Sequence, residues 1–309
     1  MPKDIYVQPD APDPVLDAEL VLSLARRHLP GAKAVTDVDE SGGEARTYGI
    51  DSDFILKTQR PQQLRPRTSL EKEVFFLNQL ASAAPDLSVP RALGYGREGR
   101  FIEYTLMTRM AGVALRNANL NGAARLEVMA DLGRVLRRIH QLPQAPFLAS
   151  DLFPGDHSAA HTRARVAELF EEFVVRIHDG QRTWLLPLTP EQVAARALAL
   201  WPATDERVAL HSNPWHEHTF VDPVTGRYIG LIDFGDAYIS HPTFDLRRWR
   251  TREERAALLA GYTAAAPVSA DFMQAWLVAQ VMGDMAVVAL NPALSPAAHT
   301  DLERLAAEL

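Results

Sequence analysis

Several residues have the types and the order needed to handle a chain of phosphates. Lys57 closes the apolar run Phe54-Ile55-Leu56-Lys57, downstream of the turn Ser41-Gly42-Gly43. A lysine held at a strand end behind a glycine turn can reach phosphate oxygens, and it needs an acid to hold it. Glu73, on the next segment, supplies one, with Glu71 as the alternative. Far downstream, Asp233 leaves an apolar stretch in Ile232-Asp233-Phe234-Gly235, and His218 lies in the polar loop before it. A carboxylate at a strand end, with a side-chain ligand from the neighbouring loop, makes a workable site for a divalent cation bridging nucleotide phosphates.

That loop reads His211-Ser212-Asn213-Pro214-Trp215-His216-Glu217-His218 and lies between two short apolar segments, 208–210 and 220–221. Asn213 stands where a base would be useful, but a neutral amide can orient a hydroxyl and cannot take up its proton. His211, His216 and His218 invite a zinc reading. Their spacing is not that of a metalloprotease helix, and Pro214 prevents a regular helix through the loop. Asp236 and Asp245 read as turn and helix-cap residues.

The elements that must position these groups can be read from periodicity. Residues 1–14 are rich in Pro and Asp and read as an arm, and 15–28 has helical spacing up to Pro30-Gly31. Residues 34–57 read as strands around the Ser41-Gly42-Gly43 bend. Ser69 is a natural N-cap for a helix over 69–83. Strands are expected near 92–95 and 101–107, and long helices over 123–140, 158–178, 189–201 and from 251 onward. Strands first and helices afterwards, broken by one β-rich island at 208–235, define an α+β chain rather than an alternating α/β one. The boundary is expected near 108–114, separating a β-rich lobe over 1–110 from a helical lobe over 111–309.

The 309 residues are enough for two lobes with their own cores, and 47% hydrophobic with 23% charged residues is an ordinary globular composition. A net charge of −7 argues against bulk nucleic-acid binding. The absence of cysteine excludes disulfides, thiolate metal sites and thiol nucleophiles. No signal peptide opens the chain and no apolar run approaches membrane length, so the expectation is a cytoplasmic protein without a membrane partner. A monomer or weak dimer is expected.

The order of these features resembles the aminoglycoside phosphotransferase family, which includes macrolide phosphotransferases. The resemblance runs from the glycine turn, Lys57 and Glu73 through "YTLMTRMAGVAL" and "LRRIHQLP" to "HSNPWHEHTFVD" and "LIDFGDAYISHPTFDL". It implies a bilobal, protein-kinase-like fold that binds ATP or GTP with Mg²⁺ and phosphorylates a small hydroxylated molecule. By matching positions, Ser41, Gly42 and Gly43 would lie over the phosphates and Lys57 would contact them, held by Glu73. Thr108, Arg109 and Met110 would form the hinge around the base, and Asp233 would bind the metal. His211 matches the histidine that opens the family's loop.

Two positions depart from that pattern. Where the family has a catalytic Asp this chain has Asn213, and where it has a metal-binding Asn it has His218. Macrolide-kinase-like members also carry histidine at the second position, although imidazole suits Mg²⁺ poorly. Asn213 removes a general base worth about 10²–10⁴-fold, so turnover is expected to be impaired, by engineering or by nature. A nucleotide-binding pseudokinase is the alternative. For the acceptor, Asp236, Asp271 and Asp284 are candidate contacts. Asp284 lies in the apolar run "AWLVAQVMGDMAVVAL", where it either faces a cleft or is buried against an arginine. The acidic groups would suit an aminocyclitol, Trp276, Met282 and Met285 a macrolide, and a non-antibiotic metabolite stays equally open.

Overall fold

The structure, a computed structural model, describes residues 6–66, 68–153, 155–156 and 158–309; the first five residues of the expected arm lie outside these. Residues 6–17 carry no helix or strand. Helix α1 (Ala18–Arg26) starts later than its apolar spacing suggests, because Asp17 caps it by accepting from Leu20 N.

Next come β1 (Val35–Asp39), β2 (Ala45–Ile50), β3 (Phe54–Gln59), helix α2 (Leu70–Ala83), β4 (Ala92–Glu98) and β5 (Ile102–Thr108). The strands form one antiparallel sheet in the order β1-β2-β3-β5-β4, so Lys57 sits on the central strand between Thr47 and Thr105. Neighbouring residues on a strand face opposite sides. Leu56 joins Tyr48, Tyr104 and Leu106 in a core closed by Val21, Leu24 and Ala25 of α1. Lys57 therefore faces the other side, towards α2. On α2, Leu70, Glu73 and Leu77 share the buried face at helical spacing, whereas Glu71 is exposed. That choice of face separates the two glutamates.

The chain leaves this sheet at Thr108 and enters another at β6 (Val113–Ala114). Gly112 makes the crossing with φ of 79°, and a Cβ there would lie 2.3 Å from Val221 O. The remainder of the chain is mainly helical: α3 (Gly122–His140), α4 (Ala145–Leu148), α5 (Ala159–Asp179), α6 (Pro190–Leu200), α7 (Thr243–Leu246), α8 (Arg252–Thr263), α9 (Ala270–Leu290) and α10 (Ser295–Ala306). The β island comprises β7 (Val208–Leu210), β8 (Thr219–Val221), β9 (Tyr228–Leu231) and β10 (Tyr238–Ser240), the last outside the expected 208–235. β6 pairs with β8 and β8 with β9, while β10 pairs with β7. The molecule is thus bilobal and α+β, with a sheet-based N-terminal lobe and a mainly helical C-terminal lobe.

Helix α9 corrects one expectation. It is 21 residues long, and an 18-residue stretch of it has a mean hydropathy of 1.4, so it reaches membrane-spanning length by composition. The apolar side chains instead fill the C-terminal core, with Val278, Met282, Met285 and Val288 packed among residues of α5, α6 and α10.

Candidate active site

Lys57, Glu73 and Asp233 converge. Lys57 Nζ lies 2.8 Å from Glu73 Oε2 and 2.6 Å from Asp233 Oδ1. Burial works against the ammonium, but Asp233 and Glu73 outweigh it and hold the lysine pKa above its usual range. Burial likewise opposes ionisation of Asp233, and the Lys57 and His218 charges reverse it, keeping that carboxyl well below the usual range. Burial is also the largest influence on Glu73 and pushes its carboxyl up, with Lys57 pulling back. The second Glu73 oxygen accepts from Phe234 N, which ties α2 to the segment after Asp233. Phe234 is buried against Phe76 and His211, with ring centroids 4.9 and 4.5 Å away. Asp233 itself has φ of 72°, a left-handed conformation that Asp tolerates better than most residues.

The turn carrying Asn213 is held from below by Asp245. This carboxylate, fully buried, accepts from His211 N (2.8 Å) and Ser212 N (2.7 Å) and meets His140 Nε2 at 3.0 Å. Asp245 is therefore more than the turn and cap residue expected of it. Nothing near it in sequence reveals the role, because the groups it binds lie 33, 34 and 105 residues away. His211 donates through Nε2 to Ile232 O and accepts at Nδ1 from Asn213 N, so it is neutral; burial lowers its pKa to about 4. His218 Nδ1 donates to Asn213 O (2.8 Å), which turns Nε2 towards Asp233 Oδ2 at 3.1 Å. The Asn213 side chain, partly exposed, makes no hydrogen bond with any described residue.

The donor set suits a hard cation only in part. Asp233 gives oxygen and His218 gives a nitrogen directed at the same place, and no group of three or more acidic, His or Cys residues able to hold a metal occurs among the described residues. Mg²⁺ is commonly held by one or two carboxylates with phosphate oxygens and waters completing the octahedron. One carboxylate with His218 behind it fits that mode, and a site built wholly from protein groups does not.

Around this centre, Ser41, Gly42 and Gly43 form the β1–β2 turn, with Ser41 N donating to Asp39. Gly42 is required there, since a Cβ would meet Ala45 O at 2.6 Å. The next residue, Glu44, escaped the sequence reading. Its carboxylate accepts from Thr68, whose hydroxyl also contacts Asp236, and it pairs with Arg65 at 2.7 Å. Burial first, then Asp236, pushes the Glu44 carboxyl up. Asp236 thus lies beside Thr68 and Glu44, next to the β1–β2 turn. At the crossing between lobes, Thr108 Oγ1 accepts from Arg91 N, Arg109 N donates to Asp53 O, and Arg109 pairs with Asp37 at 2.8 Å. Met110 packs on Gly230, and its N–H makes no hydrogen bond among the described residues.

Asp284 must be corrected as an acceptor contact. It is fully buried, and its two oxygens take Arg255 at 2.7 and 3.1 Å, with Asp301 on the same guanidinium at 2.8 Å. Asp271 is exposed in the first turn of α9, where its charge suits the helix dipole, and it makes no hydrogen bond or ion pair with a described residue. Beside Asn213 stand instead Trp215, packed on Trp249 at 5.0 Å, and His216, with Arg250 over the Trp215 ring.

A strand lysine held by a helix glutamate meets a carboxylate that follows the β8–β9 hairpin, beside an amide-bearing turn. The chain belongs to the phosphotransferase enzyme family abbreviated APH, whose model matches residues 37–287. Among solved structures it is similar to the GDP complex of aminoglycoside 2'-phosphotransferase-IIIa, with 13% identity over 95% of this chain and 99% of that one and a TM-score of 0.63. It is similar also to the streptomycin–ATP ternary complex of APH(2'')-IIa, with 14% identity, 94% and 97% coverage and a TM-score of 0.56. Macrolide 2'-phosphotransferase MphH from Brachybacterium faecium gives 19% identity, 92% and 98% coverage and 0.57. At these identities the likeness establishes the fold. No functionally curated protein matches the sequence.

Proposed function

We propose that the chain binds ATP or GTP between its lobes and transfers the γ-phosphoryl group to a hydroxyl of a small molecule in the cytoplasm. The observation that carries this reading is the meeting of Lys57, Glu73 and Asp233 beside the Asn213 turn. Residues 1–110 form the nucleotide lobe and 111–309 the acceptor lobe, with Thr108, Arg109 and Met110 between them and the free Met110 N–H available to a base. Lys57, kept charged by its two carboxylates, binds phosphate oxygens while Glu73 retains it. Ser41, Gly42 and Gly43 cover the phosphates. Asp233 holds Mg²⁺ with His218 behind it; the metal, when bound, neutralises charge on the phosphates. Asn213 orients the acceptor hydroxyl through its amide without taking its proton, and Asp245 and His211 fix that amide's backbone.

The similar structures that hold GDP or ATP support nucleotide use here, and those of streptomycin and macrolide enzymes support a hydroxylated small-molecule acceptor. The Asn213 amide favours a second reading, in which the protein binds nucleotide and signals without transfer. The first test is calorimetry with ATP and GTP in saturating Mg²⁺. Binding that weakens when Asp233 becomes Asn supports the reading, and absence of any nucleotide binding ends it.

A further inference from the structure

The arm before α1 is fastened to the β1–β2 turn through the Asp13 carboxylate, with Pro14 O as a second acceptor for Arg46 Nη1 at 3.0 Å. Asp13 Oδ1 accepts from Arg46 Nη1 at 3.1 Å, and Oδ2 accepts from Arg60 Nε at 2.9 Å. Each arginine then grips a different part of the β1–β2 connection. Arg46, in β2, donates from Nε to Glu40 at 2.8 Å, just before the turn. Arg60, just past β3, donates from Nη1 to the carbonyl of Gly42 at 3.2 Å, and its backbone N–H reaches Glu44 O at 2.9 Å. The Asp13 side chain is 8% exposed and that of Arg46 4%, so the junction is largely shielded from solvent.

Apolar packing does only part of this work, with Leu16 against the core beneath the sheet. Between the arm and the sheet lies a cavity of about 220 Å³, lined by Pro12, Pro14 and Leu16 on one side and Thr58 and Ile102 on the other. The arm spans that space instead of filling it, so its register on the sheet comes from directional contacts. Arg46 has a second partner in Glu40, but Arg60 has no carboxylate other than Asp13 among the described residues. Without Asp13, the Arg60 guanidinium, 20% exposed, is free to turn to water and release Gly42.

We infer that Asp13 is a positioning residue for the nucleotide's phosphates: it sets the 40–44 turn at the height from which backbone groups close on a triphosphate. The inference rests on the nucleotide reading above and adds to it a residue 44 positions before Lys57 that touches neither nucleotide nor acceptor.

Two measurements on the full chain test it together. One is hydrogen exchange of the amides at 41–45. The other is calorimetry with a nucleoside triphosphate plus Mg²⁺ and, separately, with the bare nucleoside. Asp13→Asn keeps the shape and removes the charge; it is expected to speed exchange in 41–45 and weaken triphosphate binding about tenfold while nucleoside affinity holds. Asp13→Glu is expected to recover part of the loss. If Asp13→Asn does not fold, Arg60→Met cuts the arm from Gly42, leaves the Asp13–Arg46 pair, and carries the same expectation. Unchanged exchange at 41–45 in a folded variant overturns the inference. Equal weakening of triphosphate and nucleoside also overturns it, because that marks a general loss of structure. Faster exchange in a protein that binds no nucleotide in any form overturns the phosphate role and the functional reading together, and the exchange data identify that case.

Discussion

Lys57 Nζ and Asp233 Oδ1 are 2.6 Å apart although 176 residues separate them in the chain. The pair joins the central strand of the N-terminal sheet to the end of the β8–β9 hairpin, so it closes the two lobes on each other directly. On the function proposed above, a triphosphate and its metal would part these groups and take one each. The free protein thus holds its lysine paired with two carboxylates, and Glu73 would keep Lys57 in place if Asp233 were drawn away.

Replacing the lysine tests that balance. Lys57→Met leaves Glu73, 1% exposed, and Asp233, 37% exposed, without their shared cation. We expect a stability loss of about 2–3 kcal/mol in urea unfolding, below the range for fully buried pairs because water reaches Asp233. Nucleotide binding should weaken as well. A variant as stable as the parent shows that the pair contributes nothing to lobe closure.

Asn213→Asp should raise acceptor-dependent nucleoside diphosphate release by at least about 10²-fold, the low end for a restored general base. Nucleotide affinity should hold, because the side chain at 213 bonds none of the described phosphate-side groups. The assay pairs both proteins across aminoglycosides, macrolides and simple polyols. Equal rates would move the base role to another group, His216 or Glu217 being nearest in sequence.

His211 makes the fold sensitive to acid. Burial holds this imidazole neutral, with its pKa lowered from 6.5 to about 4. Between those values the unfolded chain binds the proton and the folded one does not. Stability is present above pH 6.5 and falls as pH drops towards 4, by at most about 1.4 kcal/mol per unit for one group. His211→Gln should lose that slope, so the difference between the two unfolding curves should change across this window. Parallel curves would mean that His211 is not the titrating group.

Asp284→Ala separates a structural from a substrate role. Its carboxyl, raised to about 6 by burial against the pull of Arg255, is part of a buried triad with Asp301. Removing it should cost about 3–5 kcal/mol, as for a broken buried ion pair. Nucleotide affinity of the folded fraction should not change. An intact stability with altered acceptor preference would return Asp284 to the acceptor pocket.

How much of this was legible depended on how local the signal was. The order Lys57, Glu73, Asn213, Asp233 could be read because each adjoins an apolar run whose period fixes its face, and alternation along β3 is enough to turn Lys57 from α1 to α2. Glu73 and Glu71 could not be separated before the buried face of α2 was known. Asp284 was ambiguous because Arg255 comes from another helix, 29 residues away. Asp245, Glu44 and Thr68 were missed or undervalued for the same reason: their partners come from distant segments, and polar residues in turns look alike until those segments meet.

The buried Asp245 hub also fixes the order in which the site comes apart. The turn at 211–213 is anchored through Asp245 and His140 to α7 and α3, so it opens only when those helices do. The turn at 40–44 has one shielded tie, Arg46 to Glu40 at its start, but its Gly42 and Glu44 are fastened through Arg60 and Arg65, whose side chains are 20% and 44% exposed. An ageing or gently heated preparation should therefore lose its hold on nucleotide first, with saturation shifting to higher concentrations while the ceiling rate persists.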